Sequence, residues 1–242
     1  MVIPKQIQEV FDRIEKEAKP ISIFIYGSRA RGDFKQDSDY EVGVLFEKDK
    51  KWGRRELKQL HQLSNLNLYP FVYEDFVKYS LDTPFPRAVY LRELLEEAKT
   101  VRGRRVVEEM QPPEIKASDL LEAGTFQIAY ALGAVLSSRQ DDWVTTGLEF
   151  VKSVLFGTRV LEILELKEFP LEYTAIANLS EKLELEPQFR ELIRHALAVR
   201  EGAKPDPVQL YTNITFLNQI VLQKIKNELK KGDRVLLEGK QI

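Results

Sequence analysis

Apolar residues recur at Ile7, Val10, Phe11 and Ile14 inside a charged stretch, one face of a 3.6-residue helix, so residues 5–18 are predicted helical with Pro20 beyond their end. The period then changes. ISIFIYG, residues 21–27, is a short run of β-branched and aromatic residues closed by Gly27, which marks a buried strand. SRARGDFKQDS reads as a short helical turn and a loop, and DYEVGVLF, residues 39–46, as a second strand. On that strand Asp39, Glu41 and Gly43 share one face, and Tyr40, Val42 and Val44 the other.

A charged connection leads into a helix whose apolar side is Leu57, Leu60 and Leu63. LNLYPFVY, residues 66–73, is a third strand, and Pro70 inside it argues for a sheet edge or a bulge. Residues 74–80 and 87–99 look helical, and Thr100–Gly103 is a short strand or a turn. Pro112-Pro113 then punctuates the chain. From about Ser118 to the end no strand is expected. Helices are predicted at 118–138, 142–165, 173–183, 187–200 and 208–230, apolar at helical spacing, followed by a polar tail over 231–242. Tyr130, Trp143, Phe150 and Phe156 are expected in the core of that bundle. The fold class is therefore α+β: a small mixed sheet flanked by helices in a domain of about 1–110, then an all-α helical bundle domain of about 111–242.

Composition narrows the chemistry. The 242 residues contain no cysteine, which removes disulfides and thiolate sites, and only two histidines, which argues against a histidine zinc site. Charged residues make up 31%, yet the formal net charge is −2, so a global basic surface for nucleic acid is not expected. The N-terminus is charged throughout and no stretch reads as a membrane span, so a cytoplasmic protein without membrane contact is expected. Arg102, Arg104 and Arg105 read as solvated or paired with nearby glutamates, and His61 as a surface or boundary residue.

What stands out is an ordered constellation: strand, Gly27-Ser28-Arg29-Ala30-Arg31-Gly32, loop, Ser38-Asp39-Tyr40-Glu41, strand. Gly27 lets the backbone turn sharply and come close to a phosphate. Ser28 opens a helix whose first N–H groups favour an anion. Arg29 and Arg31 bring fixed positive charge to the same turn. The carboxylates of Asp39 and Glu41, two positions apart on a strand, project together and suit Mg²⁺ (or Mn²⁺), which takes hard oxygen ligands plus phosphate and water. Gly43, on their face, would leave room for a nucleotide.

This constellation resembles the signature of the polymerase β-like nucleotidyltransferase superfamily: a glycine-serine, arginine-rich turn followed by an acid, any residue and a second acid. A helical half after the catalytic domain is similar to the kanamycin nucleotidyltransferase arrangement and to minimal nucleotidyltransferases with a helical partner. The resemblance implies metal-dependent transfer of a nucleoside monophosphate, AMP first, from a nucleoside triphosphate to an acceptor hydroxyl with release of pyrophosphate. Asp39 and Glu41 would hold the metal and be catalytic. Gly27, Ser28, Arg29 and Arg31 would bind the nucleotide phosphates. The acceptor, a small molecule or a protein side chain, is expected between the two halves, and a homodimer is compatible with the resemblance. Nucleic acid is not the expected partner.

One departure matters. Family members often add a third carboxylate on a later strand, and here Asn67 occupies that place, with Glu74 and Asp75 just past the strand. Glu122 on the first bundle helix is the nearest candidate base in the second half. The missing acid keeps an alternative open: a non-catalytic, nucleotide-binding regulatory or antitoxin-like module whose helices bind a partner.

Overall fold

The computed structural model describes residues 2–36 and 38–239. The chain forms two compact units. One runs to Pro113 and is rejoined by Gly239, and the other covers Glu114–Glu238.

In the first unit α1 (Lys5–Ala18) precedes β1 (Ser22–Tyr26), a one-turn helix α2 (Ser28–Arg31) and β2 (Tyr40–Phe46). Then come α3 (Arg54–Gln59), β3 (Leu66–Val72), α4 (Tyr73–Val77), α5 (Arg87–Glu97), β4 (Lys99–Gly103) and α6 (Val106–Glu109). The sheet order is β3-β2-β1-β4. β2 runs parallel to β3 and antiparallel to β1, and β1 is antiparallel to β4, so the sheet is mixed. β3 is an edge strand, where its Pro70, with no N–H to give, is tolerated.

Alternation along the strands builds two cores. Ile23, Ile25, Val42, Val44, Leu66 and Leu68 meet Ile7, Phe11 and Ile14 of α1 and Leu57 of α3 on one face. Phe24, Tyr26 and Leu45 meet Phe76 of α4, Leu91 and Leu94 of α5 and Val106 of α6 on the other. Glu41 and Gly43 alternate onto this second face with Leu45. The basic residues at the end of β4 and just beyond it are paired: Arg102 with Asp12 (3.0 Å) and Arg104 with Glu109 (2.8 Å). His61 differs from its expectation. It is 9% exposed, and its Nδ1 accepts from the Leu63 N–H.

The second unit contains α7 (Ala117–Ser138), α8 (Trp143–Leu166), α9 (Tyr173–Leu179), α10 (Pro187–Arg200), α11 (Pro207–Thr215) and α12 (Leu222–Leu229). Asp142 and Asp206 cap α8 and α11 by accepting from the Thr145 and Val208 N–H groups. The helix expected over 208–230 is continuous but changes winding, with a π-helical stretch at Phe216–Val221 between α11 and α12. The polar tail is corrected in part. Val235–Leu237 forms a strand, β6, antiparallel to β5 (Ile115–Lys116), because Leu236 and Leu237 bury their side chains there. Of the expected core aromatics Phe150 is buried, whereas Tyr130, Trp143 and Phe156 are half-buried. α7 is also long and apolar enough, by length and composition, to cross a membrane, which the sequence reading missed; a core helix meets the same criterion.

Two ionisable side chains of α8, Arg159 and Glu162, are buried in this unit. Glu162 is fully buried and neither carboxylate oxygen has a hydrogen-bond partner among the described residues, so burial pushes its carboxyl up to about 8. The guanidinium of Arg159, on the same helix, lies 4.5 Å from the ring centre of Phe156 and 4.9 Å from that of Phe169.

Candidate functional site

Three strand ends meet at one corner of the first unit's sheet. The antiparallel register sets Tyr26 opposite Glu41, and the parallel register sets Glu41 beside Asn67. Residues that follow β1, precede β2 and open β3 are therefore neighbours, although up to 40 positions apart in sequence.

Gly27 follows β1 with φ 74° and ψ −163°, a backbone conformation reserved for glycine. A Cβ there would lie 2.1 Å from Oε2 of Glu41. The turn and the acidic strand are thus built against each other, and the space a side chain would fill is taken by the second carboxylate. The Gly27 carbonyl accepts from the Ala30 and Arg31 N–H groups (2.9 and 3.1 Å), which starts α2 with Ser28 as its first residue. Gly32 closes the turn, its N–H donating to the Ser28 carbonyl (2.8 Å). Lys99 Nζ donates to the Ala30 carbonyl (2.7 Å), a cation where the helix leaves carbonyls open.

Asp39 is exposed just before β2, and Oδ2 of its carboxylate accepts from Nδ2 of Asn67 (2.9 Å). Glu41 is half-buried and faces Tyr26, Tyr69 and Tyr90. Burial first, then the neighbouring phenols and the Glu41 charge, raise the Tyr26 hydroxyl above its ordinary value. Burial followed by Glu41 does the same at Tyr69. The Tyr90 hydroxyl reaches that of Tyr26 (3.4 Å), and the Arg54 guanidinium lies 4.8 Å from the centre of the Tyr69 ring. These groups make a partly aromatic wall beside the acids.

Among the described residues no group of three or more His, Cys, Asp or Glu side chains stands ready for a metal. Asp39 and Glu41 are nonetheless a suitable donor set for Mg²⁺, which commonly takes one or two carboxylates and completes its shell with substrate phosphate and water.

The model of the polymerase β nucleotidyltransferase family matches residues 5–99. The first unit is a polymerase β-type nucleotidyltransferase domain. No curated protein matches the chain. Among solved structures, spectinomycin adenyltransferase AAD(9) from Enterococcus faecialis, determined with ATP and spectinomycin, shares the fold at TM-score 0.59 and 15% identity, over 92% of this chain and 98% of its own. A nucleotidyltransferase-like protein from Exiguobacterium sibiricum aligns at TM-score 0.33 and 11% identity, over 94% of this chain and 80% of its own.

Within the nucleotidyltransferase domain the two arginines of the turn are engaged by the chain itself. Arg29 donates through Nε and Nη2 to the Ser38 carbonyl (3.0 and 2.7 Å) and through Nη2 to that of Gln36 (3.1 Å). Its guanidinium also stacks on Phe34 and Tyr40 (4.2 and 4.7 Å). Arg29 therefore staples the loop that delivers Asp39. Arg31, with a side chain only 7% exposed, is ringed by Glu97 (2.5 Å), Asp33 (3.1 Å) and Glu93 (3.7 Å). Although burial disfavours its charge, Glu97 and then Glu93 raise its affinity for a proton further. Sequence spacing gave no warning of this, because Glu93 and Glu97 arrive on α5 from more than 60 positions away.

Two expectations are corrected. The face of Gly43 holds no room for a nucleotide, since a Cβ there would sit 2.1 Å from the Phe24 ring, which fills the space. Glu74 follows β3 at the opposite end of the sheet, where Val72 pairs with Phe46. At ~3.3 Å per residue that end lies more than ~15 Å from Asn67. Asn67 itself is at the acid corner. Glu122 is exposed on α7, in the second unit. The residue that sequence reading missed is Glu97, whose carboxylate accepts from the Gly27 N–H as well as from Arg31.

Proposed function

We propose that the domain binds a nucleoside triphosphate with Mg²⁺ (or Mn²⁺) and transfers its nucleoside monophosphate, AMP by first choice, to an acceptor hydroxyl. The observation that carries this reading is the mutual fit of the Gly27 turn and the Glu41 carboxylate, which a single Cβ would destroy. Asp39 and Glu41 are the metal-holding residues of the proposal. The metal, when bound, polarises phosphate oxygens and offsets charge that develops during transfer. Ser28 and the first N–H groups of α2 face the phosphates. Asn67 steadies Asp39 by its hydrogen bond. The acceptor oxygen attacks the α-phosphorus, pyrophosphate leaves, and the hydroxyl proton passes to solvent. Positioning and fixed charge supply the acceleration.

A small-molecule acceptor is the leading choice over a protein side chain, supported by the antibiotic seated in the similarly folded adenyltransferase. A second reading, nucleotide binding without transfer, is favoured by the amide at position 67, where family members often carry an acid, and by the internal pairing of Arg31. Titration of ATP with and without Mg²⁺, followed by pyrophosphate release against a pool of aminocyclitol and aminoglycoside hydroxyl acceptors, separates the readings. Metal-dependent binding and release, both lost in Asp39→Asn/Glu41→Gln, supports transfer. Binding with no release supports the second reading. Absence of triphosphate binding overturns both.

A further inference from the structure

Glu97 ends α5, and its side chain is 2% exposed. Its two oxygens do different things. Oε1 accepts from the N–H of Gly27, the residue before α2, while Oε2 accepts from Nη1 of Arg31, the last residue of α2. One carboxylate therefore spans the one-turn helix from end to end. Two residues on, Lys99 ties the Ala30 carbonyl of the same turn. Four residues cannot hold a helix by their own hydrogen bonds, because nucleation costs more than a single turn returns. The turn needs an outside clamp, and the α5–β4 junction provides it.

We propose that Glu97 is the positioning residue of the nucleotide turn. It fixes the Gly27 backbone against which the Glu41 carboxylate packs, and it holds Arg31 away from the phosphates so that Ser28 and the backbone N–H groups receive them. This rests on the nucleotide-binding reading above. Glu97 touches neither metal nor phosphate in this role; it acts through Gly27 and Arg31. If Glu97 is removed, Asp33 and Glu93 still face Arg31, so the charge keeps partners while the turn loses its clamp.

The test compares wild type, Glu97→Gln and Glu97→Ala for Mg²⁺-dependent affinity toward ATP and toward AMP. A clamp acting on the triphosphate turn weakens ATP about tenfold or more in Glu97→Ala, the order expected for a lost hydrogen bond to a charged group, and leaves AMP nearly unchanged. Glu97→Gln keeps an acceptor for the Gly27 N–H and loses less. Amide exchange at Gly27 supplies a readout independent of ligand: protected in wild type, faster in Glu97→Ala, intermediate in Glu97→Gln. An ATP-to-AMP affinity ratio equal in all three proteins overturns the proposal, as does a parallel loss of both ligands, which marks a merely structural carboxylate. Failure of wild type to bind ATP shows itself before any variant is compared, and it removes the nucleotide reading together with this inference.

Discussion

Replacing Gly27 by alanine perturbs two things at once, and the structure allows them to be separated. The first is the backbone. At φ 74° and ψ −163° a side chain is strained, at a cost of ~1–3 kcal/mol. The second is collision, with the new Cβ 2.1 Å from Oε2 of Glu41. An unstrained C···O contact needs ~3.3 Å, so the carboxylate must withdraw by more than ~1 Å. Because that oxygen ends a flexible side chain, moving it adds little to the stability cost. It does, however, displace a proposed metal ligand, and a shift of that size costs ~100-fold in rate. Gly32→Ala is the control. Gly32 also has positive φ (105°), but a Cβ there meets nothing within 4 Å. Urea unfolding should show both variants destabilised by ~1–3 kcal/mol. Mg²⁺-dependent nucleotide binding and pyrophosphate release should fall sharply in Gly27→Ala and stay near wild type in Gly32→Ala. Equal activity in the two would refute the coupling of turn and acid.

Gly43→Ala forces the buried Phe24 ring to move and should destabilise the first unit by ~1–3 kcal/mol in denaturant titration. Asn67→Asp replaces a donor to Asp39 with a third carboxylate. It should raise Mg²⁺ affinity about tenfold by calorimetry, with a melting temperature below wild type without metal and restored with it. In the second unit the folded pKa of Glu162, about 8, stands above its ordinary 4.5. Its neutral form favours the folded state, so that contribution is complete below pH 4.5 and is lost as pH rises through about 8. Unfolding followed from pH 5 to 9 should show this fall, and Glu162→Gln should flatten it; an unchanged slope would contradict the assignment.

The elements that sequence revealed are those written locally. The period of Ile7, Val10, Phe11 and Ile14 gave α1, and Pro70 gave the edge position of β3. Asp39 and Glu41 were legible because they stand two positions apart in sequence, Asp39 just before β2 and Glu41 on it. What escaped depends on partners distant in sequence. Nothing near Arg31 signals that Glu93 and Glu97 will enclose it. Gly43 looks like open space until the register brings Phe24 across from it. Asn67 was singled out as standing where a third acid would be sought, yet its bond to Asp39 follows only from the parallel pairing of β2 with β3. In the second unit a three-residue strand within a polar tail carries too little pattern to be recognised before its partner is known.

Pro70 also bears on how this protein behaves in a crowd. An open sheet invites extension, since a flat edge offers alternating donors and acceptors to any passing strand. On β3 that ladder is broken in mid-strand by a residue with no N–H, and on the opposite border β4 joins β1 through a register shift between Ile23 and Phe24. Neither border is a regular template. The four strands that carry the acid corner are thus discouraged from recruiting a fifth, and recombinant protein at high concentration should resist edge-to-edge aggregation until Pro70 is replaced by a residue that restores the missing donor.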